Sequence, residues 1–576
     1  MISIYRHLFY FFVAIFGLSF PALAQNLSNP NVILIVADDL GWNDIGYHGS
    51  EIATPNLDAL QAGGVELDRF YTAPMCSPTR AGLLTGRYPI HFGLQRDVVN
   101  VWDSLSGLPP EALTIPEIMA QAGYTRRALI GKWHLGNRCL DYHPLMHGFT
   151  EFYGFYNGQT TYFEHLTQNT LDWHRDYDPS YDAGYATDLF TAEALRFIED
   201  SADESPFFLM LTYSAPHTPL EAPEPCIEPY QDIVDEERRV YAGMVGCMDA
   251  SIGQVVAKLD SLNLRNNTLL LFMSDNGGQT ASGADNTPLK GGKGTAWEGA
   301  IRVPAFVNWP GGLRPRRVTE PVAYIDIAPT LARVVGLTYP AGTFDGVEIY
   351  NLMRRGRPLA PRSLYVYRGP EDDEDMAVVQ REWKLVRIGP NLLTGELATT
   401  QELFQINLDP TETTDVSAQY PEKVTTMLAE MATFRALQPD WGVDPDDVKP
   451  PGWKAPFEWL MVDCPWLEIP PLSSPFAAEK AVKPTASPLL ATNGGVYPNP
   501  FSQAATYTLT LPQAAYIRVQ VVDVLGRTVS VLHEGLLPAD VEHRFTLSAT
   551  GLANGLYHLV ATADRLYDHQ TVLLVR

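Results

Sequence analysis

Basic residues are scarce in this chain of 576: 41 Lys and Arg stand against 67 Asp and Glu, a formal net charge of −26. A field of that sign excludes nucleic acid and anionic membrane surfaces as general partners. An anionic substrate can bind only in a local basic pocket that works against the rest of the surface. Long apolar runs are also few. The one that stands out, Leu8 to Phe20, follows Arg6 and precedes Ala22-Leu23-Ala24. That is the order of a signal peptide over residues 1–24 with its small-residue cleavage site. The run is too short to span a bilayer comfortably and nothing else approaches membrane length. The mature chain is therefore expected to be exported, soluble and without a transmembrane helix. Cysteine is limited to Cys76, Cys139, Cys226, Cys247 and Cys464, whose wide spacing makes no zinc pattern. Setting Cys76 apart, four remain for disulfides whose pairing the sequence leaves open. Cys247, inside an expected helix, reads as a buried thiol.

Apolar residues make up 45% of the chain and aromatics 11%, ample for a large core. Asn31 to Ala37 is a continuous apolar, β-branched run, as in a strand buried on both faces. A helix is expected over Asn56 to Ala62. Thr114-Ile115-Pro116-Glu117 has the residues of a capping box, opening a helix that stops at Gly123. Further strands are expected over Thr125 to Ile130, Phe207 to Tyr213 and Thr268 to Met273, with helices over Thr187 to Ile198 and Glu236 to Leu262. This alternation predicts an α/β domain with a mostly parallel sheet flanked by helices. Residues 137–190 read as long loops lining a pocket.

Each expected strand ends on polar residues. Asp38 and Asp39 follow the first, Lys132 and His134 another, then His217, then Asp275 and Asn276. In open α/β sheets the ligand crevice lies beyond the carboxyl ends of the strands, so four clusters converge on one edge. The glycine-rich stretch Lys290 to Glu298 reads as a flexible loop able to bring Lys293 over that edge. Adjacent acids are costly unless solvated or bound to a cation. For Asp38-Asp39 alone, a surface turn and a metal site are both open. A hard divalent cation wants oxygen ligands, and Asp38, Asp39, Asp275 and Asn276 supply them.

The stretch Cys76-Ser77-Pro78-Thr79-Arg80 runs on to Leu84-Thr85-Gly86-Arg87. Ser77 suits a helix N-cap, Pro78 the first helical position and Gly86 the residue just past the end. Cys76 then sits at the helix mouth, where unpaired N–H groups and the dipole favour an anion. Arg80, one turn in, offers a planar fork for oxyanions.

This run resembles the signature of the type I sulfatases. The resemblance implies an alkaline-phosphatase-like fold, and oxidation of Cys76 to Cα-formylglycine by a formylglycine-generating maturation enzyme. The hydrated aldehyde is then the nucleophile. It implies Ca²⁺ on Asp38, Asp39, Asp275, Asn276 and the oxygen of residue 76, with Mg²⁺ the other hard cation this set suits. Lys132, Lys293 and Arg80 would clamp the sulfate oxygens. His217, with Lys293, would protonate the leaving alcohol, and His134 would take a proton as sulfate leaves. The similarity covers about residues 31–340. Thr85 to His91 with Gly93-Leu94-Gln95, Val240 to Val245, and Asp275 to Thr280 look most like the arylsulfatase B (N-acetylgalactosamine-4-sulfatase) branch. Residues 137–190 show no familiar substrate-reading pattern. The expected function is hydrolysis of sulfate esters on a sulfated carbohydrate. The alternatives are a phosphodiester or phosphonate monoester hydrolase of the same superfamily, and a non-catalytic surface glycan-binding protein.

Beyond residue 340 the rhythm changes. Ser363 to Tyr367, Trp383 to Ile388 and Glu402 to Asn407 suggest a small antiparallel sheet, and Glu371 to Asp375 reads as a solvated acidic loop. Pro465 to Pro488 is dense in Pro, Ser and Ala, as in a linker. Tyr497 to Phe501, Val524-Leu525-Gly526-Arg527 and the strand from Gly555-Leu556-Tyr557 resemble the C-terminal sorting domain of type IX secretion substrates. That resemblance implies passage through an export and outer-membrane secretion machinery. The expected division is a signal peptide (1–24), a catalytic α/β domain (25–340), a smaller subdomain (341–464), a linker (465–496) and a sorting β-sandwich (497–576).

Overall fold

The computed structural model describes residues 29–95, 99–103, 106–203, 206–369, 373–439, 449–464, 495–511, 514–523, 528–539, 541–552, 554–563 and 566–575. The expected signal peptide, the Pro-rich stretch from 465 to 488 and Val524 to Arg527 lie outside these residues. The chain forms two compact units, divided after Leu472.

The first unit is built on a ten-stranded sheet. In chain order its strands are β1 (Asn31–Ala37), β2 (Val65–Leu67), β3 (Arg127–Lys132), β4 (Glu151–Phe155), β5 (His174–Arg175), β6 (Asp178–Pro179), β7 (Phe208–Thr212), β8 (Thr268–Ser274), β9 (Ala305–Asn308) and β10 (Arg316–Val318). Across the sheet they lie β10-β2-β9-β8-β1-β7-β3-β4-β5-β6. The central five, β8, β1, β7, β3 and β4, are parallel, and antiparallel pairs flank them. Along β1 the side chains alternate between two cores. Val32, Leu34 and Val36 face one, Ile33, Ile35 and Ala37 the other, and all are fully buried. That double burial is why the strand reads as an unbroken apolar run.

Helices Ala186–Asp200 and Glu236–Ser261 cover one face. The longer is apolar and long enough to cross a membrane. Its Tyr241, Met244, Met248, Ile252 and Val255 are instead buried in the core, which accounts for the pattern. On the other face lie the helix Cys76–Thr85, the helix Ile115–Gln121 and a four-stranded antiparallel sheet made by Leu364–Arg368, Glu374–Val379, Lys384–Gly389 and Thr400–Phe404.

Four expectations are corrected. Residues 137–190 are not only loops: β4, β5 and β6 extend the main sheet there. The acidic run does not end as a solvated loop, because Glu374 opens a strand and is fully buried. Its carboxylate accepts from Arg435 Nε at 2.6 Å and from the Tyr367 hydroxyl at 3.0 Å. Cys247 is not a buried thiol but is bonded to Cys226. The first strand of the second unit, Gly495–Tyr497, begins inside the stretch expected to be linker.

The other disulfide joins Cys139 to Cys464, and backbone hydrogen bonds run beside it from Leu140 N to Val462 O and from Val462 N to Arg138 O, both 2.9 Å. It closes a loop of 325 residues in sequence. Cross-linking so distant a pair restrains the unfolded chain. Cys139→Ser with Cys464→Ser should therefore lower stability by about 2–5 kcal/mol. An unchanged urea unfolding midpoint would count against this.

In the second unit the strands pair antiparallel, and one isolated parallel bridge joins Phe501 to Leu574. One sheet holds Gly495–Tyr497, Ala504–Thr510 and Glu542–Ser548, the other Thr528–Leu537, Ala515–Asp523, Gly555–Ala563 and Leu566–Leu574. Phe501, Tyr507, Leu509, Val519, Val521, Leu559 and Val572 form its core.

Candidate active site

Because β8, β1, β7 and β3 are parallel neighbours, their carboxyl ends lie side by side. Asp38 and Asp39 leave β1, Lys132 is the last residue of β3, the turn after β7 carries His217, and Asp275 and Asn276 follow β8. The helix Cys76–Thr85 comes to this edge from another direction. It begins one residue before the expected cap: Met75 is the N-cap and Cys76 the first helical residue, while Gly86 ends it with φ +68°. Ser77 does not cap. Its hydroxyl donates to the His134 carbonyl at 2.9 Å and accepts from Val99 N at 3.0 Å, tying helix, β3 turn and a third segment together.

The charges interlock. Lys132 Nζ lies 2.5 Å from Asp38 Oδ2, and Lys293 Nζ lies 2.8 Å from Asp39 Oδ2. Arg80 donates to Asp275 Oδ2 through Nε at 3.2 Å and Nη2 at 2.8 Å, and its Nη1 donates to the Lys132 carbonyl at 2.9 Å. Asn276 Nδ2 donates to Asp39 Oδ1 at 2.7 Å. His217 Nε2 is 3.6 Å from Asp39 Oδ2. All ten expected site residues are thus in one neighbourhood; nine are buried and Lys293 is half-buried.

Three carboxylates in so small a space are costly unless something positive joins them. Ligand atoms of Asp38, Cys76 and Asp275 lie within 4.8 Å of one another, as do those of Asp38, Asp39 and His217. Asp38 Oδ1 and Asn276 Oδ1 are buried with no hydrogen-bond partner among the described residues. Orphaned oxygens beside clustered carboxylates fit a hard divalent cation, which takes oxygen ligands. Burial and the neighbouring Asp275 push Asp38 up to about 7, against Lys132 and Arg80. Burial also works against charge on Asp39, but Lys293 and His217 outweigh it and hold that carboxyl well below its usual range.

The two imidazoles are fixed by main chain. A carbonyl can only accept, so the contact of His134 Nε2 with Val99 O at 3.1 Å puts the ring proton there. Nδ1 is left with a lone pair and no partner among the described residues. His217 Nδ1 donates to Thr218 O at 2.7 Å, turning Nε2 toward Asp39. Burial, then Lys132 and Arg80, lower His134 well below an ordinary histidine, and burial with Lys293 brings His217 down to about 3. Burial raises the Cys76 thiol despite Lys132 and Lys293, so it is a poor source of thiolate.

Several supporting features carried no sequence signal. Asp39 and His134 have φ of +66° and +59°, the left-handed region that side chains rarely adopt. The Tyr162 hydroxyl donates to the Ser214 and His217 carbonyls at 2.7 and 2.9 Å and so pins the His217 turn. A side chain at Gly158 would meet the His134 ring at 2.6 Å, so only glycine fits there. The Tyr241 hydroxyl donates to Asp44 Oδ2 at 2.6 Å and lies 3.2 Å from the Asp39 carbonyl.

Comparison with known proteins gives this geometry its context. A family model described as Sulfatase matches residues 30–337, and one described as Secretion system C-terminal sorting domain matches 495–573. Arylsulfatase J of Mus musculus is 33% identical over 456 residues, covering 71% of this chain and 76% of that protein. N-acetylgalactosamine-6-sulfatase of Homo sapiens is 35% identical over 366 residues, covering 59% and 68%. The crystal structure of Ps i-CgsB in complex with k-i-k-neocarrahexaose superposes with a TM-score of 0.66 at 33% identity, covering 73% of this chain and 94% of that one. Matched over more than half its length, and at a third identity across most of both chains, the protein belongs to the sulfatase family of sulfuric ester hydrolases and carries a type IX sorting domain.

Proposed function

We propose that this exported enzyme hydrolyses sulfate esters on a sulfated carbohydrate, with Cys76 converted to Cα-formylglycine and Ca²⁺ held by Asp38, Asp39, Asp275, Asn276 and the oxygen of residue 76. The observation that carries the reading is the meeting of Cys76, three fixed cations and an under-satisfied carboxylate cluster at one buried edge. The carbohydrate class draws support from the galactosamine sulfatase and from the oligosaccharide complex among the similar proteins. The signal peptide and the division into catalytic domain, subdomain, linker and sorting domain belong to the same proposal.

When present, the hydrated aldehyde supplies an oxygen nucleophile and the cation supplies positive charge at the sulfate oxygens. The chain's own residues do the rest. Lys132, Lys293 and Arg80 fix the sulfuryl group and stabilise charge as it spreads over the oxygens. His217 Nε2 faces the site and delivers a proton to the leaving alcohol, with Lys293 beside it. Substrate negative charge offsets the burial and the Lys293 field that keep this imidazole neutral in the free protein. His134, already neutral, offers its unpartnered Nδ1 as a base.

Parallel assays of an aryl sulfate and an aryl phosphate diester test the reaction class. Sulfate turnover should exceed diester turnover by about a hundred-fold or more, since the cationic clamp is matched to one group. Faster diester turnover would reassign the enzyme to the phosphoester hydrolases, and sulfated-glycan binding with no sulfate release would make it a binding protein.

A further inference from the structure

Lys293 sits on a loop fastened both at the strand ends and to a more remote part of the chain: its own N–H donates to the Gly278 carbonyl at 3.2 Å, just past β8, and the Gly294 N–H donates to the Pro74 carbonyl at 2.9 Å. Its loop runs from Lys290 to Trp297, and the Gly299 N–H donates to the Lys290 carbonyl at 2.8 Å, closing the loop's base. Its other fastenings, and those of its base, reach the four-stranded antiparallel sheet and the turn that follows it. Arg368 Nη1, on that sheet, donates to the Gly294 carbonyl at 2.8 Å, one residue from Lys293. Lys290 Nζ lies 3.3 Å from Glu402 and 3.4 Å from the centre of the Trp297 ring. At the base itself sits Glu298, whose Oε1 accepts from Lys384 Nζ at 3.1 Å. Lys384 Nζ is also 2.7 Å from Glu412 Oε1, and Glu412 Oε2 accepts the Glu298 N–H at 2.8 Å. All three side chains are wholly buried. Glu412 reaches the ring from a backbone φ of +54°.

A buried ion triad is a weak source of stability, because desolvation offsets most of the attraction; its better-attested use is to fix one register against others. A strained residue held inside it points the same way. We infer that the Lys384–Glu298–Glu412 triad is a positioning device, setting the base of the loop so that Lys293 Nζ stays against Asp39. None of the three is placed at the reacting atoms. The inference rests on the proposed role of Lys293 at the sulfate.

A double-mutant cycle on the full chain tests it, with sulfate release as the readout. Lys384→Met should lower kcat by about 10- to 100-fold, the scale of a misplaced catalytic group, with KM changed by less than about 3-fold and a cooperative unfolding transition retained. Lys384→Arg should recover part of the loss. In a Lys293→Ala background, Lys384→Met should cost less than about 2-fold more, because residues that act through one another are not additive. The same fold-loss in both backgrounds, or none in the wild type, overturns the inference. If Lys384→Met does not fold, Glu412→Gln takes its place in the cycle under the same criteria. If Lys293→Ala alone leaves turnover intact, the reading of the site falls first and the positioning role with it.

Discussion

Cys76→Ala should abolish sulfate-ester turnover, by roughly five orders of magnitude or more, the scale of removing an enzyme's nucleophile. It should leave the protein folded. The side chain is small, and the helix it opens is held by packing of Ala81, Leu83 and Leu84 and by the Ser77 hydrogen bonds. Truncating so small a buried group costs about 1 kcal/mol. A second preparation sharpens the test. Protein made without a maturation enzyme keeps a thiol at position 76, and burial keeps that thiol protonated. It should therefore be as inactive as the alanine variant. Mass spectrometry of the peptide carrying position 76 then reads the aldehyde fraction, and activity should scale with it across preparations. Turnover that tracked the free thiol, or survived in Cys76→Ala, would refute the nucleophile assignment.

The sequence was informative where one physical rule dominates. A strand buried on both faces is an unbroken apolar run, so β1, β7 and β8 were legible, and so was the change to polar residues at their ends. The two-residue strands β5 and β6 are too short for any periodicity to appear. Glu374 looked solvated because its neutralising partner, Arg435, lies 61 residues on. Cys226 and Cys247 pair across a helix start and a helix interior, which spacing alone does not announce. At the site the residue types were legible and their pairings were not. That Lys132 meets Asp38, Arg80 meets Asp275 and Lys293 meets Asp39 depends on strand order, and strand order is set by crossovers of many residues. The left-handed backbone at Asp39 and His134 is likewise a product of the assembled site rather than of local preference.

Removing divalent cations should give the second large effect. Lys132, Lys293 and Arg80 stand against Asp38, Asp39 and Asp275, so the charged side chains alone balance, three against three. A balanced site has no reason to attract a sulfate ester into a protein of net charge −26. A bound divalent cation changes the sum to two in excess, which suits an anionic substrate and relieves the crowding that pushes Asp38 up to about 7. Exhaustive chelation should then reduce turnover by about a thousand-fold, a loss of several kcal/mol of charge stabilisation. It should also lower the unfolding temperature, since a cation at a hundred times its dissociation constant contributes about 2.7 kcal/mol. Ca²⁺ should restore both, Mg²⁺ less completely because it dehydrates reluctantly, and Asp275→Ala should abolish both responses together. Fully active, equally stable protein with no metal by elemental analysis would remove the cation from the proposal. It would leave Asp38 Oδ1 and Asn276 Oδ1 buried with no hydrogen-bond partner among the described residues, a cost with nothing to offset it.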